Sequence, residues 1–418
     1  MKVLIIGQGG REHALVKAFG KSPLIQEIHV VPGNDGIAHE SLCHPNINWK
    51  ETEQLIKFCK QTDISFVFIG PEDPLVAGIA DQLRNAGIPV IGPNQEAAML
   101  EGSKIFAKEF MNEAKASTSP FKVVSSVQET MDAADFFIPP FVLKADGLAA
   151  GKGVFICEDK KDLQEKAQFI FEQKGLGHAG ERALLEQYLP GWEVSVLVLT
   201  NGHDYKVLPM AQDHKRLLDQ DKGPNTGGMG VVAPLNIDED LFKKIEQDLI
   251  KPVIKLIQDK EFIFRGILYF GIMVTQKGPQ ILEFNCRFGD PEAQAILPLI
   301  DNDCGQLFKE LSEGRLHNLK VKNLFSSVVI QAAEGYPDLP IKGTPIEGDL
   351  TYETPSSYFI HAGTKKSEQN WHTNGGRVLA AVGLGSSLQE SLDKAYQQAN
   401  RVTWKGLQMR KDIGQKRL

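Results

Sequence analysis

Lys2-Val3-Leu4-Ile5-Ile6-Gly7-Gln8-Gly9-Gly10-Arg11-Glu12 is a continuous apolar run that stops at a glycine turn. An uninterrupted run of that length predicts a strand buried on both faces, the kind that parallel sheets contain. Arg11–Phe19 then reads as a helix with Ala14, Leu15, Ala18 and Phe19 on one face. The order repeats. Ile28–Val31 is a strand stopped by Pro32-Gly33, Leu55–Cys59 belongs to a helix, and Ile64–Ile69 is a strand. Val76–Leu83 is a helix, and Pro89–Ile91 is a short strand before Gly92-Pro93. Alternating β and α with glycines at the strand ends predicts an α/β fold built on an open, doubly wound parallel sheet. Ligands of such sheets bind beyond the carboxyl ends of the strands, where Gly7–Arg11 and Gly70-Pro71-Glu72 fall.

The glycine turn is not a dinucleotide fingerprint. Glu12 stands where that motif needs glycine, and the second strand ends in Pro32-Gly33 rather than an acidic residue. A turn exposing backbone N–H groups at a helix N-terminus remains, and it suits an anion. Arg11 can add a bidentate contact to a phosphate. The plain alternative is a tight turn with a solvated arginine.

At 418 residues the chain calls for several domains. Glu96–Ala114 reads as one helix carrying Gly102-Ser103-Lys104. Phe121–Ser125, Phe141–Lys144, Val154–Cys157 and Ala183–Tyr188 read as strands, with a helix at Asp162–Gln173. Glu193–Pro209 is hairpin-like around Asn201-Gly202. Asp238–Asp259 reads as one long amphipathic helix, and Ile267–Val274 pairs with Gln280–Phe284. From near Leu324, short strands (Ser327–Ala332, Tyr358–His361, Arg377–Gly383) and a helix, Ser387–Val402, predict a small α+β domain without an evident catalytic constellation. The expected division is 1–102, 103–326 and 327–418.

Composition narrows the function. The net charge is −7 and no Lys/Arg stripe exists, which argues against nucleic acid as a partner. No apolar stretch approaches the ~20 residues that span a bilayer. The five cysteines are scattered and never spaced Cys-x-x-Cys, which fits reduced, metal-free thiols in a cytoplasmic protein.

Four further motifs carry chemistry. Lys144-Ala145-Asp146-Gly147-Leu148-Ala149-Ala150-Gly151-Lys152-Gly153-Val154 links two expected strands, so it is not a Walker loop. It can fold over nucleotide phosphates, with Lys144 as a point charge, or it can be a mobile surface hairpin. Glu186-Gln187-Tyr188-Leu189, followed by Glu193, carries little signal alone. Gly223-Pro224-Asn225-Thr226-Gly227-Gly228-Met229-Gly230 has too many glycines for a simple connector, and Asp213-His214-Lys215-Arg216 precedes it. Glu283-Phe284-Asn285-Cys286-Arg287-Phe288-Gly289-Asp290-Pro291-Glu292 is the strongest signal. On a strand Glu283 and Asn285 face the same side and offer two hard oxygens, which magnesium prefers alongside phosphates. Arg287 continues that face if the strand persists, adding a cation for a transferred phosphoryl group.

In this order the motifs resemble those of the glycinamide ribonucleotide synthetase family of ATP-grasp ligases. The matching stretches are Gly7–Ala14, Gly70–Pro74, Lys144–Val154, Gln212–Arg216, Gly223–Gly230 and Glu283–Glu292. The resemblance implies an N-terminal Rossmann-like domain, an ATP-grasp region of two subdomains with a mobile lid at about 121–191, and a small C-terminal domain. It implies that Lys104 and Lys144 contact ATP phosphates under a closing loop that includes Gly147, Gly151, Lys152 and Gly153. Glu186, Gln187, Tyr188 and Leu189 would border the adenine, and Glu193 the ribose. Glu283 and Asn285 would hold Mg2+ or Mn2+. Gly9, Gly10, Arg11, Asn225, Thr226, Gly227, Asp290 and Pro291 would meet the phosphoribosylamine, with Arg287, Lys144 and Asp213 at the chemistry. The implied partners are ATP, glycine and 5-phosphoribosylamine, with transient contacts to neighbouring purine-pathway enzymes. An ATP-grasp carboxylase would share the nucleotide half but not Arg287–Glu292 together with Asn225–Gly230. A catalytically dead relative would lack a metal ligand or Lys144.

Overall fold

The computed structural model describes residues 1–148 and 153–415. The first apolar run forms the strand Lys2–Gly7, with parallel neighbours Glu27–Pro32 and Phe66–Ile69. Its side chains divide by parity. Val3 and Ile5 enter one hydrophobic cluster and Leu4 and Ile6 another, all fully buried. A strand covered by helices on both faces requires that division.

The parallel ladder runs Leu42–Cys43, Glu27–Pro32, Lys2–Gly7, Phe66–Ile69, Val90–Pro93. Val90–Pro93 then pairs antiparallel with Phe264–Thr275, which also pairs with Trp192–Thr200 and Gly278–Asn285. One nine-stranded sheet therefore joins the N-terminal region to the central one. The junction is tight: a Cβ on Gly266 would sit 3.3 Å from the Gly92 nitrogen.

A separate four-stranded antiparallel sheet has the spatial order Phe121–Val124, Ala183–Gln187, Phe141–Ala145, Val154–Cys157. It packs with the helices Val127–Ala133 and Lys160–Phe171 around its own core of Phe141, Leu143, Leu163 and Ile170. The C-terminal sheet is built on Phe325–Ala332, Arg377–Gly385 and Ser357–His361, with the helix Leu388–Ala399 against it. Its other two strands, Gln212–Asp213 and Gly230–Ala233, come from the central region. The division at 326/327 thus separates stretches of sequence that share a sheet.

Several expected elements differ. Glu96–Ala114 is two helices, Gln95–Gly102 and Lys104–Glu113, because Ser103 is extended (φ −134°, ψ 121°) and caps the second. Val76–Leu83 is interrupted at Gly78, whose φ of +78° ends one helix and starts the next. Asp238–Asp259 contains a π-helical turn at Glu246–Ile250, just before Pro252, which has no N–H to donate. The final helix stops at Ala399, and Val402–Thr403 pairs as a short strand instead. The Gly223–Gly230 loop begins as a strand, Lys222–Asn225, paired with Arg216–Leu218.

Candidate active site

The break at Ser103 builds the first half of the site. Ser103 Oγ accepts from the Phe106 N–H (3.1 Å) and donates to Asp146 Oδ1 (2.7 Å), which also accepts from the Ile105 N–H (2.9 Å). Asp146 begins the glycine-rich hairpin, so the lid itself helps start this helix. Four residues apart, Lys104 and Lys108 share a helix face. Lys104 Nζ lies 3.5 Å from Glu283 Oε2. Lys108, 2% exposed, donates to Thr118 Oγ1 (2.7 Å) and Ser119 Oγ (2.8 Å) and lies 2.9 Å from Glu186 Oε2. Lys144 Nζ lies 3.1 Å from Glu186 Oε1 and donates to the Leu282 carbonyl (3.3 Å).

Three lysines thus surround two glutamates. Burial pushes the Glu186 carboxyl up, but Lys144 and Lys108 outweigh it and hold it down to about 2. Burial likewise raises Glu283, and Lys104, Lys215 and Lys144 bring it down to about 2. Burial lowers Lys108 to about 8 in spite of Glu186. The groups enclose a cavity of about 10 Å³, room for roughly one water.

Around this cluster the other expected nucleotide residues take definite places. Glu186 Oε2 accepts from Ser119 Oγ (2.6 Å), while Oε1 is buried beside the Lys144 ammonium without a hydrogen bond of its own. Gln187 bridges the Ile138 backbone, accepting from its N–H (3.0 Å) and donating to its carbonyl (2.9 Å). Tyr188 and Leu189 follow in the connection between strands, and Glu193 pairs with Lys215 at 2.8 Å. Gly147 is required, since a Cβ there would lie 2.9 Å from the Ala179 Cα. Gly153 accepts from the Ala145 N–H (2.8 Å), whereas Gly151 and Lys152 lie outside the described residues. Glu283 and Asn285 stay partly exposed while Phe284 between them is buried, edge-on to Phe270.

The second half gathers around Glu12. Its carboxylate accepts from the Gly9 N–H (2.7 Å) and from Arg11 Nε (2.6 Å). A Cβ on Gly70 would lie 2.1 Å from Glu12 Oε1. The residue that spoils the dinucleotide fingerprint therefore fills the crevice itself. Arg11 is buried, and its Nη1 donates to the Phe288 carbonyl (3.1 Å). These bonds use Nε and Nη1, and no hydrogen bond of Nη2 is found among the described residues.

Asp290 is the hub. Its Oδ2 accepts from the Arg11 N–H (3.2 Å), and Oδ1 accepts from Gln294 (2.8 Å) and lies 3.2 Å from Arg377 Nη2. Arg377 also donates to the Gly227 and Asp290 carbonyls (2.6 and 2.5 Å), while Tyr336 OH accepts from the Gly227 N–H (2.9 Å). Thr226 donates through N–H and hydroxyl to the Lys215 carbonyl, holding the loop beyond Asn225. A Cβ on Gly228 would strike both Pro291 Cδ (2.5 Å) and Asp213 Oδ1 (2.6 Å), so loop, proline and aspartate converge. Asp213 Oδ1 is buried without a hydrogen-bond partner. Burial and nearby Glu292 push this carboxyl well above the usual range, against Lys215 and Arg377. Glu292 Oε1 accepts from Ser195 Oγ (3.0 Å) and Tyr269 OH (3.1 Å).

Arg287 joins the halves, but not as a continuation of the strand, which ends at Asn285. Its Nη2 lies 2.6 Å from Glu101 Oε1 and its Nε 3.2 Å from Glu72 Oε2. Glu101 also accepts from the Cys286 N–H (2.7 Å). Burial raises the Glu101 carboxyl even though Arg287 opposes it. Sequence reasoning missed Glu101, Lys108, Tyr336 and Arg377, and it quoted Glu292 as the end of a motif without giving it a role. Only Lys108 left a usable trace, its spacing from Lys104. Arg377 opens an ordinary apolar strand and signals nothing.

The chain matches the family descriptions "Phosphoribosylglycinamide synthetase, N domain" over residues 1–101, "ATP-grasp (A) domain" over 102–293 and "C domain" over 326–416. It is 39% identical over 416 residues to phosphoribosylamine–glycine ligase of Caldanaerobacter subterraneus, covering 99% of each chain. It is 41% identical over 421 residues to the human trifunctional purine biosynthetic protein adenosine-3, of which it spans 42%. Among solved structures it resembles phosphoribosylamine–glycine ligase of Thermotoga maritima, with a TM-score of 0.86 and 35% identity over 99% of this chain and 100% of that one. A biotin carboxylase from Campylobacter jejuni shares the fold at a TM-score of 0.75 and 16% identity, with 98% of this chain and 92% of that one covered.

Proposed function

Because the chain belongs to the phosphoribosylglycinamide synthetase family, and so is a carbon–nitrogen ligase of de novo purine biosynthesis, we propose in detail how it joins glycine to 5-phosphoribosylamine at the expense of ATP. The observation that carries the reading is the cluster of three lysines around two carboxylates beneath the glycine-rich hairpin. Three ammonium groups lining one pocket suit a polyanion, and a nucleoside triphosphate supplies one.

In this reading Lys104 and Lys144 bind the phosphates under the 147–153 hairpin. The Glu186–Leu189 segment borders the adenine through its backbone, since the Glu186 carboxylate is already engaged. Glu193 meets the ribose. Glu283 and Asn285 fit Mg2+ or Mn2+: both are hard-oxygen donors, partly exposed, flanking a buried Phe284. A bound ion would neutralise phosphate charge and polarise the transferred group. Gly9, Gly10, Arg11, the Asn225–Gly227 loop and Asp290-Pro291 receive phosphoribosylamine, with the unbonded Nη2 of Arg11 as its donor to the phosphate. The unpartnered Asp213 oxygen is placed to accept from the glycine ammonium.

The chemistry needs two transfers. The glycine carboxylate attacks the γ-phosphorus and ADP leaves, giving glycyl phosphate. The amine of phosphoribosylamine then attacks the carbonyl carbon, loses a proton and expels phosphate, leaving an amide. Positioning and charge neutralisation suffice, without a protein nucleophile. Glycyl phosphate and the substrate phosphoribosylamine are both prone to hydrolysis, which gives a closing hairpin its purpose. The remaining partners in this reading are neighbouring purine-pathway enzymes in the cytoplasm. Among the described residues no helix is long and apolar enough to cross a membrane.

Phosphate release from ATP is therefore expected to require glycine and phosphoribosylamine together. Equal turnover with bicarbonate in place of glycine would overturn the assignment.

A further inference from the structure

We infer that Lys108 is a positioning residue for ATP: by sharing Glu186 with Lys144, it keeps the Lys144 ammonium available to the nucleotide phosphates. The inference rests on the proposed role of Lys144 and goes beyond it.

The geometry makes Lys108 more than a structural lysine. Its side chain is 2% exposed, an environment that ammonium groups enter only with partners. Thr118 Oγ1 and Ser119 Oγ accept from its ammonium, and Glu186 Oε2 lies 2.9 Å away as its ion-pair partner. Thr118 donates in turn to the Ile281 carbonyl (2.6 Å), on the strand that carries Glu283. The charged groups facing Lys108 are Glu186, Lys144 and Lys104, and the Phe121 ring lies 5.8 Å away. Glu186 thus has one ammonium on each oxygen, Lys108 at Oε2 and Lys144 at Oε1. Serine 119 completes the set on the Lys108 side, donating to Oε2 at 2.6 Å.

Removing Lys108 changes what Lys144 experiences. A buried carboxylate that has lost one of two cations draws harder on the other. Lys144 is then held by Glu186, and the uncompensated negative charge lies beneath the incoming phosphates. Both effects act on ATP, and neither touches glycine or phosphoribosylamine. Arginine at this position keeps the charge but places a planar fork where Thr118 and Ser119 fit a compact ammonium. Only partial rescue is expected.

The test is steady-state kinetics of the full chain with ATP, glycine and phosphoribosylamine varied in turn. Lys108→Met is expected to raise KM for ATP roughly tenfold to a hundredfold, leaving both other KM values within about twofold. Lys108→Arg falls between. Lys108→Met/Glu186→Gln removes both charges of the pair and is expected to return KM for ATP to near that of Glu186→Gln alone. If Lys108→Met proves too unstable to assay, this double variant against Glu186→Gln and Lys108→Arg against the parent chain supply the comparison. An unchanged KM for ATP in Lys108→Met, or an equal defect with and without Glu186, overturns the inference. Lys144→Met is measured alongside. If it leaves KM for ATP unchanged, the nucleotide assignment itself fails, whereas a defect in Lys144→Met alone removes only the role of Lys108.

Discussion

The two halves of the site solve opposite electrostatic problems. On the nucleotide side Lys104, Lys108 and Lys144 outnumber Glu186 and Glu283, and both carboxyls are held down to about 2. Around Arg287 the balance reverses, because Arg11 and Arg287 face Glu12, Glu72 and Glu101. There burial raises Glu101 in spite of an arginine 2.6 Å away. The first half holds three ammonium groups against two carboxylates, and Lys104, half-buried at 3.5 Å from Glu283, is the least tightly held of them. The second is built from arginine forks whose donors are largely committed within the protein. The contrast suggests that the nucleotide half completes its charge balance only with ATP present, while the substrate half is preorganised before anything binds.

The largest expected effect falls on the nucleotide half. Glu283→Gln keeps the shape and removes one charge from a partly exposed position. Turnover should drop about a hundredfold to a thousandfold, comparable to losing one strong electrostatic contact in a transition state. The melting temperature should fall, but by less than in a variant that strands a fully buried charge. Near-normal turnover at limiting magnesium would mean the metal is held elsewhere, and a large loss of stability would mean this half is as rigid as the other.

Arg287→Met should show the reverse balance. Glu101 and Glu72 lose their shared cation, and stranding buried Glu101 costs on the order of 3 kcal/mol of stability. A melting curve should therefore detect this variant before an activity assay isolates it, and Arg287→Lys should restore little because it cannot reach both carboxylates with one fork. If the melting temperature is unchanged, the committed network is weaker than its distances imply.

This difference also governs what the sequence could reveal. The β-α alternation, the hairpin at Asn201-Gly202 and the Glu283–Glu292 signature depend on local patterns, and these were legible. Arg11 was legible as a candidate for an anion, but nothing near it announces that the Phe288 carbonyl, 277 residues away, takes its Nη1 donor. Arg377 reaches Asp290 and Gly227 only because strands 212–213 and 230–233 join the C-terminal sheet. That pairing is long-range and leaves no periodicity. The helix break at Ser103 was not read from the sequence, although a serine after glycine is a capping signal. The partner that restarts the helix, Asp146, is supplied by the lid.

The smallest effect separates the halves by pH. Glu186 and Glu283 titrate lower in the folded chain than the ordinary 4.5, so their contribution to stability is complete above about 4.5 and is lost as pH falls toward 2. Glu101 has the opposite sign. Its folded carboxyl binds its proton more tightly than the unfolded one, so its contribution is complete below 4.5 and is lost as pH rises through its raised value. Lys108, which titrates near 8, stays charged throughout this acid range. Melting temperature plotted against pH should therefore fall between about 4.5 and 2, and Glu186→Gln should flatten that fall while leaving the slope above 4.5 unaltered. Glu101→Gln should leave the acid limb intact and change only the slope above 4.5. If both variants alter the same limb, the two halves share one titrating network and the contrast between a responsive face and a committed one is lost.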